Sequence, residues 1–121
     1  MIIRITDHGT DIIKPNTGET VEECVFKEFG IDDFDQVEYF NPKYITRAMD
    51  IPNVAMFVKR FSDGEPINNV ARFITGSPSR YAIRGTAVVV GVNGEGWNAI
   101  PDKACNKICT ELNEFLEKEN A

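Results

Sequence analysis

The order of apolar and polar residues in the first third of the chain predicts a hairpin followed by a helix. Met1–Thr6 is mostly apolar and predicts a strand, and Asp11–Lys14 predicts a second, short strand that Pro15 ends. Asp7–Thr10 contains the Asp and Gly residues that favour a turn, so the two strands are expected to pair as a hairpin. Val21–Phe29 then has its apolar residues at helical spacing.

Capping residues mark both ends of this helix. Thr20 precedes the apolar spacing and Glu23 stands three residues later, which is the arrangement of a capping box. Gly30 is placed to end the helix in a left-handed conformation. Beyond it, Phe34–Phe40 alternates in a way that is compatible with a strand but does not decide which face is buried.

The middle of the chain predicts shorter elements because prolines interrupt it. Pro42 and Pro52 limit Lys43–Asp50 to a short helix or an ordered loop. Val54–Phe61 predicts a strand, which the Asp63-Gly64 turn ends.

The last part of the chain predicts a central strand and a long helix. Pro66–Ile74 predicts a short helix with Gly76 as its stop, and the β-branched run Thr86–Val92 predicts a central strand. Trp97–Ile100 predicts a short extended piece, and Pro101 is a favourable first helical residue. The apolar stripe of the helix that follows consists of Cys105, Ile108, Cys109, Leu112, Phe115 and Leu116.

These elements predict an α+β fold with a mostly antiparallel sheet, one short N-terminal helix and a long amphipathic C-terminal helix packed on the sheet. The 121 residues are expected to form a single domain, residues 1–121. No apolar run approaches the roughly 18 residues that span a bilayer, and no signal peptide is recognisable. An odd number of cysteines, 3, fits a reducing compartment, so a cytoplasmic location without a membrane partner is expected.

Charge is distributed unevenly along the chain. Residues 1–42 carry 3 Lys/Arg and 10 Asp/Glu, residues 43–84 carry 7 and 3, and residues 85–121 carry 3 and 6. The segments therefore run −7, +4 and −3, which gives the net charge of −6. A basic stretch in an acidic chain indicates a surface for a specific anion, because guanidinium groups offer paired N–H donors. The overall charge disfavours direct nucleic-acid binding.

The basic segment contains the residues that we expect to bind this anion. Its backbone, hydroxyl and guanidinium donors suit phosphate, although it lacks the Gly-Lys-Ser/Thr ending of a P-loop. An aromatic ring nearby would stack on a base. The expected phosphate contacts are Arg72, Ser77, Ser79, Arg80 and Arg84, and the expected stacking rings are Tyr81 and Trp97. The alternative is a surface turn whose arginines pair with flanking acids.

Catalytic and metal sites are not recognisable in the sequence. His8 is the only histidine and lies in a turn, which favours a solvated residue over a catalytic one. One histidine with three scattered cysteines has no zinc-ligand spacing. Cys105 and Cys109 fall in the apolar stripe and are interpreted as core residues, and Asp32–Asp35 is interpreted as a solvated acidic turn. No catalytic residue, cofactor or metal ligand is assigned.

Several short segments follow one another in a recognisable order: Lys14–Gly18, Thr20–Glu23, Gly30, Gly64–Ala71 and Ile83–Val90. In this order they resemble a family of short proteins of unknown function carried by bacteriophages, plasmids and other bacterial mobile elements. The family has no established activity, so the resemblance implies a context in the bacterial host cytoplasm and no catalytic residue. Small proteins in this context often block a host defence protein or sequester a nucleotide signal.

The expected function is therefore that of a non-enzymatic binding protein that captures a small anionic ligand of nucleotide type, such as a host defence signal. In so small a chain such a pocket is often completed across a homo-oligomer interface. The alternative is an acidic inhibitor that blocks a host defence or nucleic-acid-binding protein through Glu22, Asp32, Asp33 and Asp35. An enzyme acting on a phosphorylated compound is a third option, disfavoured by the lack of an evident base and nucleophile.

Overall fold

The computed structural model describes residues 1–60, 64–76, 83–94 and 96–119 of the chain. Within these ranges, one antiparallel sheet has the strand order β2-β1-β5-β4-β3, and β6 pairs with the C-terminal end of β5. The strands are β1 (Ile2–Thr6), β2 (Gly9–Ile13), β3 (Val37–Phe40), β4 (Val54–Lys59), β5 (Ala87–Val92) and β6 (Trp97–Asn98). The central position of β5 confirms the prediction from its β-branched run.

Three α-helices accompany the sheet in the described residues: α1 (Val21–Phe29), α2 (Asn69–Thr75) and α3 (Asp102–Glu119). The bounds of α1 are as predicted, since Thr20 and Glu23 form a complete capping box and Gly30 ends the helix at φ 66°. The segment between Pro42 and Pro52 forms a single π-helical turn, Tyr44–Ala48.

Three predicted boundaries were wrong, each for a local reason. β2 begins at Gly9 because Thr6 pairs with Gly9 across a two-residue turn. The strand predicted from Phe34 begins only at Val37, since the Asp33 side chain accepts the Asp35 N–H and opens a 3₁₀ turn, Phe34–Gln36.

The third boundary is the start of α2, which lies at Asn69 rather than at Pro66. Asn68 caps this helix, with its side-chain oxygen accepting the Ala71 N–H. Ile67 is therefore outside the helix, where it forms an isolated antiparallel bridge with Arg84.

The two faces of the sheet are covered by different helices. Alternation along β5 sends Ala87 and Val89 to one face and Val88 and Val90 to the other. On the first, which we call the α2/α3 face, the sheet packs against aliphatic residues of α2, α3 and the π-helical turn. On the second, the α1 face, it packs against Cys24, Val25 and Phe29 of α1. The predicted α+β fold with a long C-terminal helix on the sheet is confirmed.

The cysteines take the core positions that the helical spacing predicted. Cys105 and Cys109 are buried on the α2/α3 face, Cys24 is buried under α1, and all three are free thiols. None of the helices in the described ranges combines the length and the hydropathy needed to cross a bilayer.

Candidate functional site

The part of the basic segment that is predicted to bind an anion, residues 72–84, is described at residues 72–76 and 83–84. Arg72 lies in α2, and Arg84 lies shortly before β5. Four of the predicted contacts lie outside the described residues: Ser77, Ser79, Arg80 and Tyr81. The prediction of an anion site therefore rests here on the two arginines that the structure describes.

Among the described residues, the guanidinium groups of these two arginines make few polar contacts. Arg72 Nη1 donates to Asn69 Oδ1 at 3.3 Å, and Arg72 Nε is buried without a hydrogen-bond partner. Arg84 Nη1 donates to the carbonyl oxygen of Glu65 at 3.1 Å. Neither arginine forms an ion pair with a carboxylate of the described residues. Both ends of the segment therefore keep cationic donors that no described acid neutralises.

A buried asparagine holds the ends of this segment together. Asn68 is 1% exposed, and its Nδ2 donates to the carbonyl oxygens of Ile5 and Gly85, each at 2.9 Å. Its backbone N–H donates to the carbonyl oxygen of Ile83 at 2.7 Å. Since the same side chain also caps α2, one residue fastens β1, α2 and the residues that lead into β5.

Trp97 lies far from these arginines. It pairs with Val92 at the C-terminal end of β5, and its ring belongs to the α1 face, whereas Arg72 belongs to a helix on the opposite face. Arg84 precedes the other end of β5, and a strand of 6 residues separates the two ends by roughly 17 Å. The structure does not bring Trp97 into one site with Arg72 and Arg84.

Trp97 is instead part of a group of five aromatic residues on the α1 face. The ring centroids of neighbours lie 5.8 Å apart for Tyr39 and Phe57, 4.3 Å for Phe57 and Trp97, and 5.2 Å for Trp97 and Phe34. Phe26 of α1 packs edge-to-face on Phe34 at 4.9 Å. We call these five residues the aromatic patch: Phe26, Phe34, Tyr39, Phe57 and Trp97.

The aromatic patch is open to solvent at two of its rings. The core cluster under α1 includes Ile2, Val88 and Val90 of β1 and β5 and Val37 of β3, and Phe57 and Trp97 are partly buried against it. Phe34 is 54% exposed and Tyr39 56%, and the third exposed large hydrophobic residue in the described part of the chain is Ile12 at 37%, on the far edge strand β2.

Acidic residues adjoin the Trp97 and Phe34 side of the aromatic patch. Glu22 accepts the backbone N–H of Trp97 through Oε1 at 3.0 Å. Asp33 and Asp35 stand on either side of Phe34 in the chain. Glu38, next to Tyr39, pairs with Val58 of the α2/α3 core and therefore faces the other side of the sheet. We call the acids on the patch side, with Asp32, the acidic collar: Glu22, Asp32, Asp33 and Asp35.

The acidic collar is not neutralised by neighbouring cations. None of its members takes part in the ion pairs found among the described residues. Lys27 is paired with Glu19 at 3.3 Å, and Arg60 donates from Nε to the carbonyl oxygen of Val37 at 3.0 Å. Lys59 is the other cation close in sequence to a patch residue. Four acids outnumber these three cations, of which Lys27 is already paired with Glu19, so the margin of the patch is negative.

Groups for catalysis do not converge in the described part of the chain. No three His, Cys, Asp or Glu side chains there are placed to hold a metal ion. Burial raises the pKa of the thiols of Cys24, Cys105 and Cys109, which keeps them protonated and poorly nucleophilic. His8 is exposed, as predicted, beside a surface depression of about 210 Å³ that Asn68 also lines.

Sequence reasoning did not identify the aromatic patch, although a signal was present. Phe26 stands off the apolar stripe of α1, Phe34 stands among three aspartates, and Tyr39 follows a glutamate. A single exposed ring is common on protein surfaces, whereas several exposed rings in one contiguous patch point to an interaction site. Only the fold shows that these separate positions meet on one surface.

Comparison with known proteins adds no relative. The chain matches no protein-family model, no curated protein and no solved structure. The resemblance to proteins of phages and plasmids therefore stays a prediction, and the function has to be argued from the surface alone.

Proposed function

We propose that this protein is a non-enzymatic binding protein whose aromatic patch contacts a basic surface of a partner protein. The observation that carries the proposal is that Phe34 and Tyr39 leave more than half of their surface exposed within one continuous group of rings. Aromatic residues contribute a large share of the binding energy at protein interfaces, because their rigid rings bury much area at little entropic cost.

The acidic collar defines the charge of the partner. Carboxylates at the rim of an interface accelerate encounter with a basic surface and repel acidic ones. Nucleic-acid-binding proteins carry such basic surfaces, and an acidic protein that covers one would block it. Glu22, Asp32, Asp33 and Asp35, which the sequence suggested for this role, all belong to the collar. Action on a host defence protein rests on the resemblance to mobile-element proteins and is part of the proposal.

A pair of surface variants tests this function. The double variant Phe34→Ser and Tyr39→Ser removes the two exposed rings of the patch, and Ile12→Ser removes an exposed apolar residue at the far edge of the sheet. Bacterial lysate proteins retained by each variant are compared by quantitative mass spectrometry. A partner that wild type and Ile12→Ser retain and the double variant loses supports the proposal. A partner retained equally by all three contradicts it.

A second candidate is capture of a small anion of nucleotide type at the basic segment, for which the unpartnered Arg72 Nε is the specific observation. A buried N–H without an acceptor is costly, and a ligand oxygen would satisfy it. Arg84 would supply a second cationic donor, and Ser77, Ser79, Arg80 and Tyr81 remain predicted contacts. Trp97 is omitted from this site because of its distance from the arginines.

Calorimetric titration with nucleotides and cyclic nucleotides tests the second candidate. Heat of binding that the variant Arg80→Ala, Arg84→Ala loses and that Arg47→Ala retains would support an anion site. Arg47 is an exposed arginine in the π-helical turn and serves as the matched control. Binding with unchanged affinity in the double variant would contradict it.

A further inference from the structure

We propose that the aromatic patch recognises arginine in preference to lysine, with guanidinium groups of a basic segment stacked on its exposed rings and paired with the acidic collar. This inference rests on the proposed function, since it names the chemistry by which the partner protein is bound. Three features of the α1 face lead to it: the negative charge at its margin, the hydrogen bonds that occupy the outer edge of β3, and the arrangement of the rings and the carboxylates beside them.

Charge excludes two other occupants of the patch. A symmetric contact between two copies of this chain would bring one acidic collar against the other, because an isologous interface places the same surface on both sides. A nucleic acid would bring its phosphates against the same carboxylates. A cationic segment is the occupant that the collar attracts.

The neighbouring sheet edge is closed, so the partner cannot simply add a strand. Arg60 N–H bonds the carbonyl oxygen of Gln36, and by alternation Val37 and Tyr39 turn their backbone groups away from β4. The outward N–H of Val37 bonds the carbonyl oxygen of Phe34, and its outward carbonyl accepts Arg60 Nε. Only the backbone groups of Tyr39 remain on this short edge, and recognition must therefore use side chains.

One exposed ring of the patch, Phe34, lies between two carboxylates in the chain, an arrangement that suits a planar cation. Asp33 and Asp35 flank Phe34, whereas the second exposed ring, Tyr39, has no adjacent carboxylate on its own face of the sheet. A guanidinium can stack on a ring while its N–H groups point outward in the ring plane to a carboxylate. The lysine ammonium is compact and strongly hydrated, and it lacks this combination. From Tyr39 through Phe57 and Trp97 to Phe34, the ring centroids of neighbours lie 5.8, 4.3 and 5.2 Å apart. An extended segment of about five residues can run along this row of rings.

The test uses three labelled peptides of five residues, with arginine, lysine or citrulline at positions one, three and five and glycine between. Binding to the full chain is measured by fluorescence anisotropy at low salt. The arginine peptide is expected to bind about tenfold more tightly than the lysine peptide. The uncharged citrulline peptide is expected to bind at least about tenfold more weakly than the lysine peptide. The double variant Phe34→Ser, Tyr39→Ser should lose the arginine preference, and Ile12→Ser should keep it.

Two variants with the same change in net charge distinguish binding by the acidic collar from attraction by the overall charge of the protein. Asp33→Asn with Asp35→Asn should weaken the arginine peptide several-fold and flatten its salt dependence. Glu114→Gln with Glu117→Gln, which changes two exposed acids of α3 and the net charge equally, should leave the affinity unchanged. Loss of affinity in the α3 variant to the same degree would overturn site-specific recognition.

The remaining outcomes distinguish this inference from the proposed function. Equal affinity for the arginine and lysine peptides, or an arginine preference that survives in the Phe34/Tyr39 variant, overturns the inference. The proposed function survives that result if the same variant still loses its protein partner from the lysate. If neither the peptides nor the lysate partner respond to the Phe34/Tyr39 change, both proposals fail.

Discussion

The two faces of the sheet differ in how completely they are covered. On the α2/α3 face, two helices and the π-helical turn close an aliphatic core around Ile3, Met56 and Val89. On the α1 face, a helix of 9 residues packs over a smaller cluster that includes Val25 and Val88, and the rings of Phe34 and Tyr39 stay more than half exposed. The first arrangement stabilises the fold, and the second leaves apolar surface that only a partner would bury.

Aromatic side chains make this division possible. A half-exposed phenylalanine still shields the strand beneath it, and edge-to-face contacts such as Phe26 with Trp97 at 6.2 Å hold the rings in place without a covering element. An aliphatic residue at the same position would offer less area to a partner. The patch can therefore be changed at its exposed rings with little loss of fold, while the closed face cannot.

The largest expected effect is a difference in stability between a substitution on the α2/α3 face and one on the α1 face. Leu112→Ala in α3 should lower the free energy of unfolding by about 2–5 kcal/mol, because the side chain is fully buried and leaves a cavity. Phe34→Ala on the patch should lower it by less than about 1 kcal/mol, since its ring is 54% exposed. Urea denaturation with linear extrapolation measures both. Similar losses would mean that the patch rings belong to the core.

A second prediction concerns how α2 is attached to the closed face. Asn68→Ala should cost about 2–4 kcal/mol, because the carbonyl oxygens of Ile5 and Gly85 lose their donor and α2 loses its cap. Asn68→Asp keeps an acceptor for the cap but cannot donate, so it should be at least as unstable. Thermal denaturation of both variants is the measurement. Wild-type stability in the aspartate variant would refute the role of the donated hydrogen bonds.

A smaller effect should appear when α1 is loosened at its N-terminal end. Thr20→Ala breaks the capping box and should cost about 1 kcal/mol. Burial raises the pKa of the Cys24 thiol, so its thiolate is scarce and alkylation requires opening of the helix. The variant should raise the alkylation rate of Cys24 about fivefold at pH 8, with Cys105 unchanged. Mass spectrometry of the labelled peptides resolves the two sites, and equal acceleration would indicate global unfolding instead.

Most of the fold follows from local signals in the sequence. The capping box at Thr20 and the glycine at position 30 define α1, and the β-branched run defines β5, because these signals depend only on neighbouring residues. The start of α2 was misplaced because Asn68 serves a cap and two distant carbonyls at once. Only the folded chain shows the distant partners.

The site was less predictable, for a physical reason. Arg72 and Trp97 were grouped by chemistry, yet the sheet places them on opposite faces, which composition cannot reveal. The aromatic patch joins residues from α1, β3, β4 and β6 and from the 3₁₀ turn, so its members are scattered along the chain. Glu22, Asp32, Asp33 and Asp35 were named from the sequence as an acidic interaction surface, and that role stays a prediction.

The closed edge at β3 also bears on how the protein behaves at high concentration. An open edge strand templates pairing with further chains and leads to ordered aggregates. Here Arg60 holds the carbonyl oxygen of Val37, and at the opposite edge the side chain of Asn113 accepts the Thr10 N–H at 3.2 Å. Chains that meet through their exposed rings therefore find few free backbone groups at the adjoining edge, which disfavours stacking into fibres.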